Sequence, residues 1–265
     1  MRNIAIIGGT GIYNPEALSG FEEIVVNTPY GRVKANKGQI AGNSVTFITR
    51  HGLGHKLPPH KVNYRANIWA LKSLGVEEIF ATTAVGSLNE KMCAGDFVVC
   101  DQLLDFTKSR ANTFYDDENH GVAHVDFTNP YCPRLRSVVI DCLAMTGSAY
   151  HESGTYVCAE GPRFETAAEI RMYKILGGDL VGMTNAPESV LAREAEICYV
   201  NVSIVTNMAA GISPTPLSHS EVVAAMSVSI TKMNSLIADF IEYRGEVDSS
   251  CTCTEAMKEF GGFKL

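Results

Sequence analysis

The feature that most constrains this chain is a series of short, near-continuous apolar runs alternating with segments of helical period. Asn3–Ile7, Ser44–Thr49, Glu78–Thr83, Asp96–Cys100, Thr155–Ala159, Asp179–Met183 and Tyr199–Thr206 read as strands. Most are apolar at consecutive positions, so they need cover on both faces of a sheet. Helix candidates supply it: Val62–Leu74, Arg134–Met145, Thr166–Leu176, Pro187–Glu196 and about Glu221–Tyr243. Gly75, Gly147 and Gly177-Gly178 stop the first three, and Thr166-x-x-Glu169 is a capping box. Pro187 suits a first helical turn, and Ser218-x-x-Glu221 can cap the last helix. This alternation specifies an α/β three-layer domain. The stretch 101–133 is polar, aromatic and poorly periodic, and reads as a functional loop or a subunit contact.

Five segments end such strands in small, hydroxyl or basic residues. They are Ile6-Ile7-Gly8-Gly9-Thr10-Gly11, Thr49-Arg50-His51-Gly52, Thr82-Thr83-Ala84-Val85-Gly86, Gly182-Met183-Thr184-Asn185 and Val205-Thr206-Asn207. One such turn is common; five point to a single site at the carboxyl edge of a sheet. The residue types suit inorganic phosphate beside a nucleoside. Glycines let backbone amides converge on an anion, and Thr10 adds a hydroxyl. Arg50 offers planar contact with phosphate. Thr83, Ala84 and Thr184 offer hydroxyls and amides, and Met183 a soft apolar face for a sugar. Each segment also has a plainer reading: a structural turn, a surface Arg-His pair, strand packing, a core methionine. The first loop alone also resembles a dinucleotide loop, but the third glycine of G-x-G-x-x-G is replaced by Asn14.

With 265 residues, 46% hydrophobic and 19% charged, the chain suits one large domain. Residues 1–245 are assigned to it and 246–265 to a polar tail. A net charge of -7 without a basic run argues against a nucleic-acid partner. No apolar run approaches a membrane span, and the N-terminus lacks a signal-peptide pattern, so a cytoplasmic location is expected. Six of the eight cysteines are scattered, most beside apolar neighbours. Cys251-Thr252-Cys253 lies in the polar tail. It reads as two solvated thiols, or as a redox pair or strained disulfide, a bridge that is geometrically demanding at this spacing. By itself it is not a zinc site, which needs two further ligands.

At longer range the chain resembles the trimeric purine nucleoside phosphorylase family, in its methylthioadenosine phosphorylase branch. The matching stretches are Ile6–Gly11, Arg50-His51-Gly52, Val62–Leu71, Thr82–Ser87, Glu160–Phe164, Met183-Thr184 and Pro187–Glu194. The resemblance runs nearly the whole chain up to about Tyr243. It implies a three-layer α/β/α phosphorylase-type fold with a mixed central sheet. It implies phosphate contacts at Thr10, Arg50, His51, Thr83, Ala84 and Thr184, with Met183 under the ribose. His124 matches a residue that reaches a neighbouring subunit's site, and a trimer or dimer of trimers is implied.

Three positions depart from the methylthioadenosine branch. Its last strand ends in Asp-Tyr-Asp, whereas this chain has Asn207-Met208-Ala209. A carboxylate suits the exocyclic amine of adenine; an asparagine amide can donate to a 6-oxo group and accept from a protonated N7. Phe164-Glu165-Thr166 resembles the Phe-Glu-Thr of 6-oxopurine phosphorylases, whose carboxylate accepts from N1–H and the 2-amino group. Glu165 also stands at a helix start, where carboxylates are favoured anyway. Leu217-Ser218-His219 puts a histidine where 6-oxopurine enzymes bond the 5′-hydroxyl.

These residues together give the expectation of a 6-oxopurine nucleoside phosphorylase. Asn207, Glu165 and His219 are its catalytic candidates; Met183, Met208, Ala209 and His124 join them in substrate binding. Orthophosphate is a co-substrate, and no metal or organic cofactor is required. Phosphorolysis of methylthioinosine or methylthioadenosine is the alternative. Two rivals are a nicotinamide-dependent oxidoreductase, for which Glu22 and Glu23 would supply the ribose-binding acid, and a non-catalytic nucleoside-binding protein.

Overall fold

Ile4, Ala5, Ile6 and Ile7 are all fully buried, which fixes β1 (Asn3–Gly8) inside the sheet. The computed structural model describes all residues except 1, 10, 11, 13–18, 53, 117–120, 213–218, 244–249 and 265, and only the backbone of 19, 21, 219–221, 223 and 228. β2 (Ser19–Thr28) and β3 (Gly31–Ile40) form an antiparallel hairpin, and β3 pairs antiparallel with β4 (Asn43–Thr49). β1 lies between β4 and β5 (Glu78–Ser87), parallel to both. β11 (Cys198–Met208) runs parallel to β5 along its whole length. β10 (Leu180–Gly182) pairs antiparallel with the end of β5, followed outward by β9 (Thr155–Ala159) and β7 (Gln102–Phe106). β6 (Phe97–Val99) joins β11, and β8 (Tyr150–His151) joins β6. The result is a mixed sheet with eleven described strands.

Alternate residues of β1 feed opposite layers. Ala5 and Ile7 share a core with α1 (Tyr64–Ser73) and α4 (Asn185–Glu194). Ile4 and Ile6 share another with α2 (Pro133–Thr146) and α5 (His219–Glu242). Burying each such large apolar side chain contributes roughly 1.5–3 kcal/mol. α3 (Ala167–Ile175) lays Ile170 and Tyr173 against Val157 and Val181. The local signals act as expected. Thr166 Oγ1 accepts from the Glu169 N–H at 3.1 Å, and the Glu169 carboxylate accepts from the Thr166 N–H at 2.7 Å. α2 opens on Pro133 and closes on Gly147 at φ 66°. The Ser218 cap lies outside the described residues. Among those described, no helix is long and apolar enough to cross a membrane.

Three findings differ from expectation. The β2–β3 hairpin was not anticipated, because β3 buries only Val33, Ala35 and Gly38 and both strands carry many polar side chains. The stretch 101–133 opens with an edge strand, β7, whose half-buried residues give only a weak alternation. Beyond it the chain is tethered: Arg110 donates to the carbonyls of Met183 and Glu160 at 2.6 Å, and Glu194 accepts from Thr113 and the Phe114 N–H at 2.7 Å. The C-terminal segment is docked rather than solvated. Met257 is fully buried, Glu196 accepts the N–H groups of Met257 and Phe263, and Phe263 packs on Trp69 and Phe114.

Candidate active site

β5 changes partner along one edge. β1 pairs with it from Glu78 to Ala81 and β10 only from Gly86, so residues 82–85 face a gap between described strands. A cavity of about 340 Å³ opens there. The ends of β1, β5, β10 and β11, the segment after β4 and the first turns of α5 wall it. This is the carboxyl edge at which open α/β sheets bind ligands.

Arg50 enters the gap and donates through Nη1 to the Thr82 carbonyl at 2.8 Å. Its Nε and Nη2 form a two-pronged ion pair with Glu188, each at 2.7 Å, both side chains 1% exposed. Burial works against the guanidinium charge, but Glu188 outweighs it and holds Arg50 above its ordinary pKa. Glu188 is itself positioned: it accepts from Tyr199 Oη, which accepts from Asn185 Nδ2, while Tyr131 Oη donates to Asn185 Oδ1. The bidentate edge that the sequence offered to an anion thus faces Glu188. Three of five guanidinium N–H donors are engaged, which leaves two for a ligand.

His51 is buried beside Arg50, and burial first, then the Arg50 charge, lower its pKa from 6.5 to about 4. Its Nδ1 lies 2.9 Å from the Leu57 carbonyl, which can only accept, so Nδ1 carries the proton and Nε2 a lone pair. Thr83 Oγ1 joins a hydroxyl cluster with Ser203 at 2.8 Å and Asn201 Nδ2 at 3.2 Å. Ala84, one residue on, is exposed to the cavity. Thr184 is the N-cap of α4 and lines the cavity at a positive helix end, held against Tyr156 Oη, which accepts its N–H at 3.4 Å.

At the other end, a β-bulge between Val205 and Asn207 shifts the register of β11 against β5. Bulges re-aim side chains. Asn207 Oδ1 accepts from Thr206 Oγ1 at 2.8 Å and Nδ2 donates to the Met208 carbonyl at 2.9 Å, which fixes the amide's orientation. A methyl group on Gly86 would stand 3.4 Å from Asn207 Nδ2 and 3.3 Å from Val181, so glycine keeps that amide's room. Glu165 and Phe164 line the same cavity. Burial raises the Glu165 pKa above its ordinary value. Two buried wall atoms have no partner among the described residues: Glu165 Oε1 at this end and Thr82 Oγ1 at the other. Native proteins seldom leave such groups orphaned without a ligand or water to meet them.

Of the residues anticipated from sequence, Arg50, His51, Thr83, Ala84, Glu165, Met183, Thr184, Asn207 and Ala209 line this one cavity. Thr10 lies outside the described residues, though Gly9 and Ile12 around it are on the wall. His219 is the first residue of α5, with only its backbone described. Met208 is half-buried off the wall, and His124 is exposed. Sequence reasoning missed Thr82, Glu188, and the wall formed by Val222, Met226 and Ile230 of α5. Glu188 lies inside the matching Pro187–Glu194 stretch, and the α5 residues belong to its apolar stripe, so the signals were present without a role attached. The dinucleotide reading fares poorly: Glu22 and Glu23 lie within β2 of an antiparallel hairpin, not at the end of a parallel strand.

Comparison with known proteins agrees with this geometry. The model of the Phosphorylase superfamily matches residues 3–242. The 6-oxopurine nucleoside phosphorylase of Pyrococcus furiosus is 54% identical over 97% of this chain and 98% of its own. The S-methyl-5'-thioadenosine phosphorylase of Thermofilum pendens is 46% identical over 97% of each chain. A methylthioadenosine phosphorylase from an antarctic soil metagenomic library superposes with a TM-score of 0.90 at 37% identity, covering 97% of this chain and 91% of its own.

Proposed function

The chain belongs to the Phosphorylase superfamily, and from that premise we propose that it cleaves inosine and guanosine with orthophosphate, releasing hypoxanthine or guanine and ribose 1-phosphate. The observation that carries this reading is that Asn207 and Glu165 line the same cavity as Arg50, His51 and the N-cap residue of α4, Thr184. The name borne by the Pyrococcus relative supports it.

Phosphate sits below C1′, held by Arg50, Thr83, Ala84 and Thr184, with Thr10 from the glycine loop, and His51 accepts through Nε2 from a protonated phosphate oxygen. A phosphate oxygen bonds to C1′ as the C1′–N9 bond breaks, through an oxocarbenium-like sugar over Met183. The electron pair passes to the purine, which takes a proton from solvent water at N7. Asn207 meets it with Nδ2 toward O6 and Oδ1 toward N7–H, a contact that strengthens as charge develops. Glu165, which lines the same cavity, accepts from N1–H through its carboxylate. Ala209 and Met208 continue the base-binding strand end, and His219 bonds the 5′-hydroxyl. Phosphate is the nucleophile, so no cofactor enters the reaction. The enzyme is a purine-salvage transferase of the cytoplasm, and a trimer or dimer of trimers, in which the exposed His124 reaches a neighbour's site.

Incubation of inosine with and without phosphate, read by liberated base and ribose 1-phosphate, tests this. Strict phosphate dependence is expected; phosphate-independent hydrolysis, or binding without cleavage, would contradict it. One observation favours a second activity: Val222, Met226 and Ile230 give the cavity an apolar wall fit for a thioether. Methylthioinosine and methylthioadenosine belong in the same assay.

A further inference from the structure

Cys251 and Cys253 supply half of a tetrahedral metal site. The fold supplies the other half. Cys132 stands at the N-cap of α2 and Cys198 opens β11, and the four Sγ atoms lie within 4.8 Å of one another. Cys198 Sγ and Cys251 Sγ are 3.6 Å apart. Zinc–sulfur bonds of about 2.3 Å in a tetrahedron set sulfurs about 3.8 Å apart. The observed spacing is that of ligands around one ion, well beyond the roughly 2.05 Å of a bonded pair.

The surroundings suit a thiolate cluster. Four thiolates around a dication carry two excess negative charges. Arg134 Nη2 lies 3.5 Å from Cys198 Sγ and 2.9 Å from Glu78, so a guanidinium stands against the cluster and is itself held in place. Cys132 stands at the N-cap of α2 and makes no side-chain cap bond. Cys132, Cys198 and Cys253 are buried, while the half-buried Cys251 leaves a path for entry. None of the four lines the active-site cavity. Four protein ligands close the coordination sphere, which is the pattern of a structural rather than a catalytic site.

We propose that Cys132, Cys198, Cys251 and Cys253 form a structural tetrathiolate zinc site that staples the C-terminal segment to α2 and β11. Binding displaces the four thiol protons and ties residues 251–253 to the core. From there the segment reaches Met257 and Phe263, docked on Glu196 and Trp69.

The test uses the full chain, produced with zinc and purified under reducing conditions without chelator. Native mass spectrometry and metal analysis should find one zinc per chain, with the four thiols protected until the metal is removed. Cobalt substitution should give the intense d–d bands of tetrahedral thiolate coordination. Cys251→Ser, chosen because its side chain is half-exposed, should lose the metal and make residues 250–264 cleavable by protease. Metal-free chains weighing two or four hydrogens less than the reduced mass, with these cysteines in disulfide-linked peptides, would overturn the proposal. So would four freely reactive thiols in protein saturated with zinc.

Discussion

Asn207 is aimed by its neighbours rather than by its own identity. The bulge at Thr206 turns it, Thr206 Oγ1 and the Met208 carbonyl hold its two ends, and Gly86 leaves it space. Asn207→Ala should lower kcat/KM for inosine by roughly 10²-fold or more, as for loss of one preorganised donor; unchanged steady-state kinetics would place the base elsewhere. In the proposed base site Glu165 must be ionised to accept from N1–H, and its pKa is raised by burial. As pH falls through that raised value, kcat/KM for inosine should decline, and Glu165→Gln should remove this acid limb from the pH profile. His51 gives a different signature. Its folded pKa of about 4 lies below the ordinary 6.5. The unfolded chain therefore binds the extra proton first, so stability is fully present above pH 6.5 and is lost as pH falls toward 4. Thermal melts of wild type and His51→Asn across that window should diverge on the acid side. Asn207, Glu165 and His51 were all legible in the sequence as residue types at strand or helix ends. The bulge, the amide's partners and the histidine tautomer were not, because each depends on groups that only the fold brings close.

At the scale of elements, the site exists because β1 ends early and β10 begins late along β5. Arg50 fills that gap, and α4 braces it through Glu188. Removing one partner of a buried ion pair leaves an uncompensated charge. Glu188→Gln should therefore destabilise the protein by about 3 kcal/mol or more in denaturant unfolding, and raise KM for phosphate more than KM for inosine. Equal effects on both would argue that Glu188 acts only on the fold. The strand ends that build the cavity could be read from sequence, since each follows a strong apolar run. The Arg50–Glu188 pair could not, because 138 residues separate its members. Apolar periodicity marked α5, but it does not distinguish Phe240, fully buried in the core, from Met226, which faces the cavity.

For the whole molecule, the alternation of strands and helices was enough to specify three layers, and β1 shows why: its successive side chains serve two cores. The hairpin at 19–40 escaped because few of its residues are buried, and the docked C-terminal segment because its anchors, Glu196 and Trp69, are remote in sequence. In the proposed function, what the assembled molecule does with its cavity rests on two side chains from separate segments, Asn207 and Glu165, reading a keto-purine. The most direct test compares kcat/KM for inosine and adenosine in wild type and in the Asn207→Asp, Glu165→Ser double variant. Wild type should favour inosine by a factor on the order of 10⁴, because adenine would leave buried polar groups unpaired, and the double variant should shift toward adenosine. Brisk wild-type cleavage of adenosine with inosine inert, or a ratio untouched by both substitutions, would contradict the account.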